Sequence, residues 1–174
     1  MFKNKKQIFW WIAIFQLIKE TQTDHLTNLP NRKAFEEDLI NRINKLKNSQ
    51  INSLQLILID LKNLKKINDN HGMISGDKVI VDMSNRLKKI ISESKSRAFR
   101  IGGDEFAVLQ NEFLHKDYVK MNKFCKAISE IPHYTGWAWR KNDARILDIE
   151  TDKIAQDIFN EANHQIMNLK SNTG

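Results

Sequence analysis

A single cysteine, Cys125, stands among 174 residues. That excludes a disulfide framework and the small secreted scaffolds that depend on one; a reducing, cytoplasmic setting fits. A core-packing role is expected for Cys125. Long hydrophobic runs are missing too. The one apolar stretch, residues 8–18 (Ile-Phe-Trp-Trp-Ile-Ala-Ile-Phe-Gln-Leu-Ile), follows a basic start. As a helix rising ~1.5 Å per residue it covers only about half of a ~30 Å hydrocarbon core. It cannot span a bilayer alone, and no small-residue cleavage site follows it as a secretory signal requires. There is no internal repeat, no low-complexity tract and no composition break marking a second domain. The length suits one domain with a full core. Net acidity is absent: the formal charge is +7, which suits an anionic partner. The lysines are dispersed, so solvated helix faces account for most of the excess. A nucleic-acid interface, which needs lysines clustered on one face, is not expected.

What is present reads as alternating elements. Residues 32–46 predict a helix with Phe35, Leu39, Ile43 and Leu46 on its core face. Leu56-Ile57-Leu58-Ile59 is a continuous apolar run, as in a strand buried on both faces, and it ends on Asp60. Residues 62–70 predict a short polar helix before Gly72. Gly76-Asp77 precedes a long helix to about residue 92, with Ile80, Met83, Leu87 and Ile90 inward. Strands over 97–101 and 105–109 bracket a turn whose two glycines suit φ > 0. Residues 115–130 predict a helix with Tyr118, Met121, Cys125 and Ile128 inward. Residues 134–140 predict a strand in which Gly136 allows close backbone approach. Trp137 and Trp139 fall on one face of it. They form either a stacking platform for bases or, as is commoner, a sheet face covered by a helix. Residues 154–170 close the chain as a helix with Ile158, Ala162, Ile166 and Leu169 inward. The pattern predicts an α+β fold, a mostly antiparallel sheet flanked by helices.

The chemistry concentrates at two strand ends. Asp60 sits where a central strand leaves the core, and Asp104-Glu105 sits in the turn after Gly102-Gly103. If the two strands are neighbours, three carboxylates converge at one sheet edge. Such groups repel one another unless a cation joins them. Hard oxygen ligands with room for waters and phosphates suit Mg²⁺ or Mn²⁺. If the strands are not neighbours, the same residues are an unrelated strand end and a solvated turn.

Three motifs carry a resemblance. Gly102-Gly103-Asp104-Glu105-Phe106 is one. Asp24-His25-Leu26-Thr27-Asn28-Leu29-Pro30-Asn31-Arg32 matches D-x-L-T-x-L-x-N-R. Asp60 to Lys65, Ile67-Asn68-Asp69, Gly72 and Gly76-Asp77 match D-x-D-x-F-K-x-I-N-D-x-x-G-H-x-x-G-D with substitutions. The chain resembles the GGDEF domain, the catalytic domain of diguanylate cyclases, from Asp24 onward. The resemblance implies a palm-like fold shared with nucleotidyl cyclases and polymerases. Residues 1–23 read as an apolar helix, a membrane-surface anchor by Trp10 and Trp11 beside Lys3, Lys5 and Lys6 or, as the resemblance implies, a dimer stalk, with 24–174 as the GGDEF domain. The resemblance further implies condensation of two GTP molecules into cyclic di-GMP with release of pyrophosphate, by a homodimer with Mg²⁺ or Mn²⁺.

By the same resemblance, Asp60, Asp104 and the Leu61 carbonyl are metal ligands. Asp104, Glu105 and Lys65 are catalytic: proton acceptor, metal-site support and transition-state charge. Asn68 and Asp77 read guanine, and Lys170 reaches the triphosphate. The chain departs from the pattern in places. Lys62 stands for an acidic residue, Asn63 for Phe, Met73 for His and Asn163 for Asp, and an expected arginine falls on Gly174. The inhibitory R-x-x-D product site falls on Glu93 and Ser96 and is absent. The expected location is cytoplasmic, with the inner membrane face as the alternative. The alternative function is a degenerate domain that binds GTP and signals by protein contact.

Overall fold

Asn31 starts the first helix. Its side chain accepts a hydrogen bond from the Ala34 N–H at 3.2 Å, satisfying a donor that the helix itself cannot pair. The structure is a computed structural model that describes residues 14, 17, 21–91, 96–111 and 118–172, with only the backbone of 118–122. Within these residues the order is α1 (Arg32–Lys47), β1 (Ser53–Leu61), α2 (Leu64–His71), α3 (Met73–Ile91), β2 (Arg97–Arg100), β3 (Glu105–Gln110), α4 (Tyr118–Ile128), β4 (His133–Lys141), α5 (Ala144–Leu147) and α6 (Thr151–Ser171). The apolar stretch 8–18 lies outside the described residues except for Ile14 and Leu17, both exposed.

The sheet order is β2-β3-β1-β4 and every pairing is antiparallel. β1 is therefore interior, and it is buried along its whole length. Leu54, Leu56 and Leu58 join Phe35, Ile43, Ile158 and Ala162 on the α1/α6 face. Ile57, Ile59 and Leu61 join Met83, Leu87, Phe124 and Ile128 on the α3/α4 face. That two-sided burial explains the unbroken apolar run. Gly136 of β4 is pressed against α6, where a Cβ would collide with the Ala162 carbonyl.

Several expectations are corrected. α3 begins at Met73, so Gly76 lies in its first turn and not ahead of it. Neither Gly102 nor Gly103 adopts positive φ. Gly102 matters for space, because a Cβ there would collide with the Glu105 carboxylate. Ile128 is buried as expected, but Cys125 is exposed and Phe124 is buried in its place. Leu169 is also exposed. No helix among the described residues covers Trp137 and Trp139, which are 42% and 40% exposed. The short helix α5, started by the Asp143 side chain accepting from Arg145 N–H, is an element that the apolar pattern does not announce.

Candidate functional site

The β1–β3 ladder decides where the carboxylates lie. Asp60 pairs with Glu105, and antiparallel partners place their side chains on the same face. The ladder runs on into the turn, where the Leu61 N–H donates to the Asp104 carbonyl at 2.9 Å. Asp60 and Leu61 on one strand and Asp104 and Glu105 on the other therefore meet at one edge, as the sequence predicts. On its other side Asp60 pairs with Tyr134 of β4.

Lys170, near the end of α6, reaches the same edge. Its ammonium donates to Asp60 Oδ2 at 2.7 Å. Burial opposes the Lys170 charge, but the hydrogen bond to Asp60 and the negative charges of Asp60, Asp104 and Glu105 outweigh it. The ammonium is held protonated above its ordinary range. Lys62 extends β1 by one residue, its N–H donating to the Pro132 carbonyl at 2.9 Å. Its ammonium lies 4.0 Å from the Tyr134 ring centroid, and that of Lys170 lies 5.8 Å from the same ring.

The turn that carries Asp104 is braced from outside. Arg100 Nη1 donates to both carboxylate oxygens of Asp24 at 3.1 Å, and its Nη2 donates to the Gly103 carbonyl at 2.8 Å. The Arg100 N–H donates to the Pro30 carbonyl at 2.9 Å. Asp24 also accepts from the Thr27 N–H at 2.9 Å and the Thr27 hydroxyl at 2.6 Å. Burial works against the Asp24 charge, yet these hydrogen bonds and the Arg100 guanidinium hold its carboxyl below the usual range. Residues 24–32 thus form a brace for the hairpin. Sequence reasoning matched this motif but gave it no task. The available signal was charge complementarity between Asp24 and the arginine preceding the two glycines.

The proposed base readers sit on α2 and α3. Counted along D-x-D-x-F-K from Asp60 to Lys65, the family's Phe falls on Leu64 and not, as expected, on Asn63, which adopts φ 60°, a left-handed conformation that Asn tolerates better than most residues. Lys65 follows in the first turn of α2 and is exposed. Asn68 lies so close to Gly76 that a Cβ there would collide with its Oδ1. That Oδ1 is buried and has no hydrogen-bond partner. Asp77, next to Gly76, is exposed. The α2–α3 contact therefore places Asn68 against Gly76, the residue before Asp77. Met73 is 76% exposed at the head of α3. Ser96 is described, its hydroxyl donating to Gln110, while Glu93 lies outside the described residues.

Among the described residues no three Asp, Glu, His or Cys side chains form a ready metal cage. Magnesium commonly takes one or two protein carboxylates and fills its octahedron with water and phosphate. The oxygens available are the Asp60 and Asp104 carboxylates and the Leu61 carbonyl. The Lys170 ammonium already lies on Asp60, so the carboxylate is charged and faces a cationic group. These donors fit Mg²⁺ or Mn²⁺.

The family model described as "Diguanylate cyclase, GGDEF domain" matches residues 21–135. The chain belongs to the GGDEF family. It is 35% identical over 100 residues to the diguanylate cyclase DgcS of Shewanella oneidensis, a match covering 58% of this chain and 33% of that protein. An uncharacterized membrane protein of Staphylococcus haemolyticus is 35% identical over 102 residues, covering 59% of this chain and 28% of that one. The chain spans about a third of the length of these curated relatives. Among solved structures, the coiled coil and GGDEF domain of DgcB from Caulobacter crescentus, in complex with c-di-GMP, aligns with a TM-score of 0.79 at 21% identity. The alignment covers 97% of this chain and 90% of that one. At that identity the likeness shows the fold: a four-stranded antiparallel sheet flanked by helices, as in other GGDEF domains. No helix among the described residues is long and apolar enough to cross a membrane.

Proposed function

We propose that this GGDEF domain condenses two GTP molecules into cyclic di-GMP, releasing pyrophosphate, as a homodimer with Mg²⁺ or Mn²⁺. The observation that supports the reading is the meeting of Asp60, Asp104 and Glu105 at one sheet edge, around the ammonium of Lys170. The ion would be held by Asp60, Asp104 and the Leu61 carbonyl, and it supplies neutralisation of phosphate charge and stabilisation of the attacking alkoxide. Asp104 accepts the proton of the 3′-hydroxyl. Glu105, opposite Asp60, supports the metal carboxylates. Lys170, whose ammonium lies at this edge on Asp60, is the residue for the triphosphate. Lys65 meets the charge that develops on the transferring phosphate. Asn68 and Asp77 read the guanine edge, the carboxylate accepting from N1–H and N2–H. Each domain holds one GTP, so two domains must face each other for the bonds to close. The apolar residues 8–18 provide a means of pairing subunits, or of resting on the inner face of the membrane.

One observation favours a second reading, in which the domain binds GTP and signals by contact without turnover. Met73 offers an exposed thioether where the family places a histidine. Incubation of the purified protein with GTP and Mg²⁺, followed by mass spectrometry, separates the two. Cyclic di-GMP supports catalysis. Retained, unconverted GTP supports the second reading. No GTP binding contradicts both.

A further inference from the structure

We infer that Lys62 is a polyphosphate-binding residue, gripping together with Lys170 the terminal phosphates of a nucleoside triphosphate. The inference rests on the reading of this edge as a GTP site. Its starting point is a departure, since the family carries an acidic residue at this position. A carboxylate here repels phosphate; an ammonium attracts it.

The structure places that ammonium where an anion arrives. The hydrogen bond from the Lys62 N–H to the Pro132 carbonyl keeps the residue in line with β1. Strand alternation then puts its side chain on the same face as Asp60, two residues earlier. The Tyr134 ring, beneath the Lys62 ammonium at 4.0 Å, belongs to the cross-strand partner of Asp60. The Lys170 ammonium approaches the same ring at 5.8 Å while it pairs with Asp60. Two ammoniums thus share one aromatic ring beside the site's buried carboxylate. A ring face positions a cation without neutralising it. No carboxylate among the described residues pairs with Lys62, so its charge is left for an incoming anion. The local balance agrees. Asp60, Asp104 and Glu105 share this edge with Lys62 and Lys170, and a bound divalent cation would tip the balance positive. The added ammonium also compensates for Met73 and Gly174, which stand where the family has a histidine and an arginine.

The test is calorimetric binding of a non-hydrolysable GTP analogue, pyrophosphate and GMP in the presence of Mg²⁺, for native protein, Lys62→Gln and Lys62→Arg. A charge-assisted hydrogen bond to phosphate predicts that Lys62→Gln weakens the analogue and pyrophosphate about tenfold and leaves GMP within about twofold. Lys62→Arg keeps the charge and should retain most of the affinity for both. Melting temperatures of both variants check that the fold persists. Equal analogue and pyrophosphate affinities for Lys62→Gln and native protein overturn the inference alone, even where cyclic di-GMP is made. The tenfold loss without any cyclic product upholds the inference and removes the catalytic reading. Native protein that binds neither the analogue nor pyrophosphate overturns both.

Discussion

Gly76→Ala is a small substitution that should separate folding from function. Gly76 lies in the first turn of α3, and it has no positive φ that would require glycine. Replacing a helical glycine by alanine gains up to ~1 kcal/mol. The nearest atoms that the new methyl meets all belong to the Asn68 side chain. Asn68 Oδ1 has no hydrogen bond to lose when it swings away. The expected stability is thus unchanged to ~1 kcal/mol higher, or up to ~4 °C in Tm for a chain of this size. Nucleotide binding should move the other way. A displaced Asn68 leaves its partner on the guanine unpaired, at ~1–3 kcal/mol, so affinity for a GTP analogue should fall about tenfold. Scanning calorimetry and titration calorimetry on the same sample read both effects. A Tm lowered by more than about 4 °C refutes the packing argument. Unchanged analogue affinity refutes the role of Asn68.

Gly136→Ala should behave oppositely, because its methyl meets the Ala162 carbonyl of α6 and the helix itself must shift; a loss of ~1–3 kcal/mol in urea denaturation is expected. Asp24→Asn should cost about 1–2 kcal/mol and lower turnover without touching substrate, because Arg100 loses the anion that aims it at Gly103. The Asp24 carboxyl is depressed below its ordinary 3.8 in the folded state. Its stabilisation is therefore full above that value and is lost as the pH falls below it and through the folded pKa. The difference between native and Asp24→Asn in acid melts should shrink accordingly. ATP should be turned over worse than GTP by a factor on the order of 10⁴, since adenine lacks the N1–H and N2–H donors that Asp77 accepts; comparable turnover of the two contradicts that assignment.

The parts of the fold that sequence made legible are those where one force dominates. Phe35, Leu39, Ile43 and Leu46 repeat at helical spacing and are all buried. The run ending at Asp60 reads as an interior strand because both its faces are covered. The convergence of Asp60 with Asp104 and Glu105 follows once β1 and β3 are neighbours, which the residues alone left open and the pairing of the two strands decides. Where several forces compete, sequence was a weaker guide. Polar Ser75, Asp77 and Lys78 around Gly76 mask the start of α3, which is set by its packing on α2. On α4, Cys125 and Phe124 are both apolar, and only the sheet decides that Phe124 turns inward. Trp137 and Trp139 alternate like core residues, but they stand where no described helix covers the sheet. The tasks of Asp24 and Lys62 depend on contacts with Arg100 and Tyr134, far away in the chain, and no local pattern announces them.

The central claim is that Asp60 and Asp104 hold the metal at which GTP is condensed. The most direct measurement is the rate of cyclic di-GMP formation from GTP and Mg²⁺ by native protein and Asp104→Ala side by side, with a thermal melt of each. Product from the native protein, none from Asp104→Ala and closely similar melts are predicted, since a strand-end carboxylate among like charges contributes little to stability. An unchanged product yield from Asp104→Ala contradicts the account.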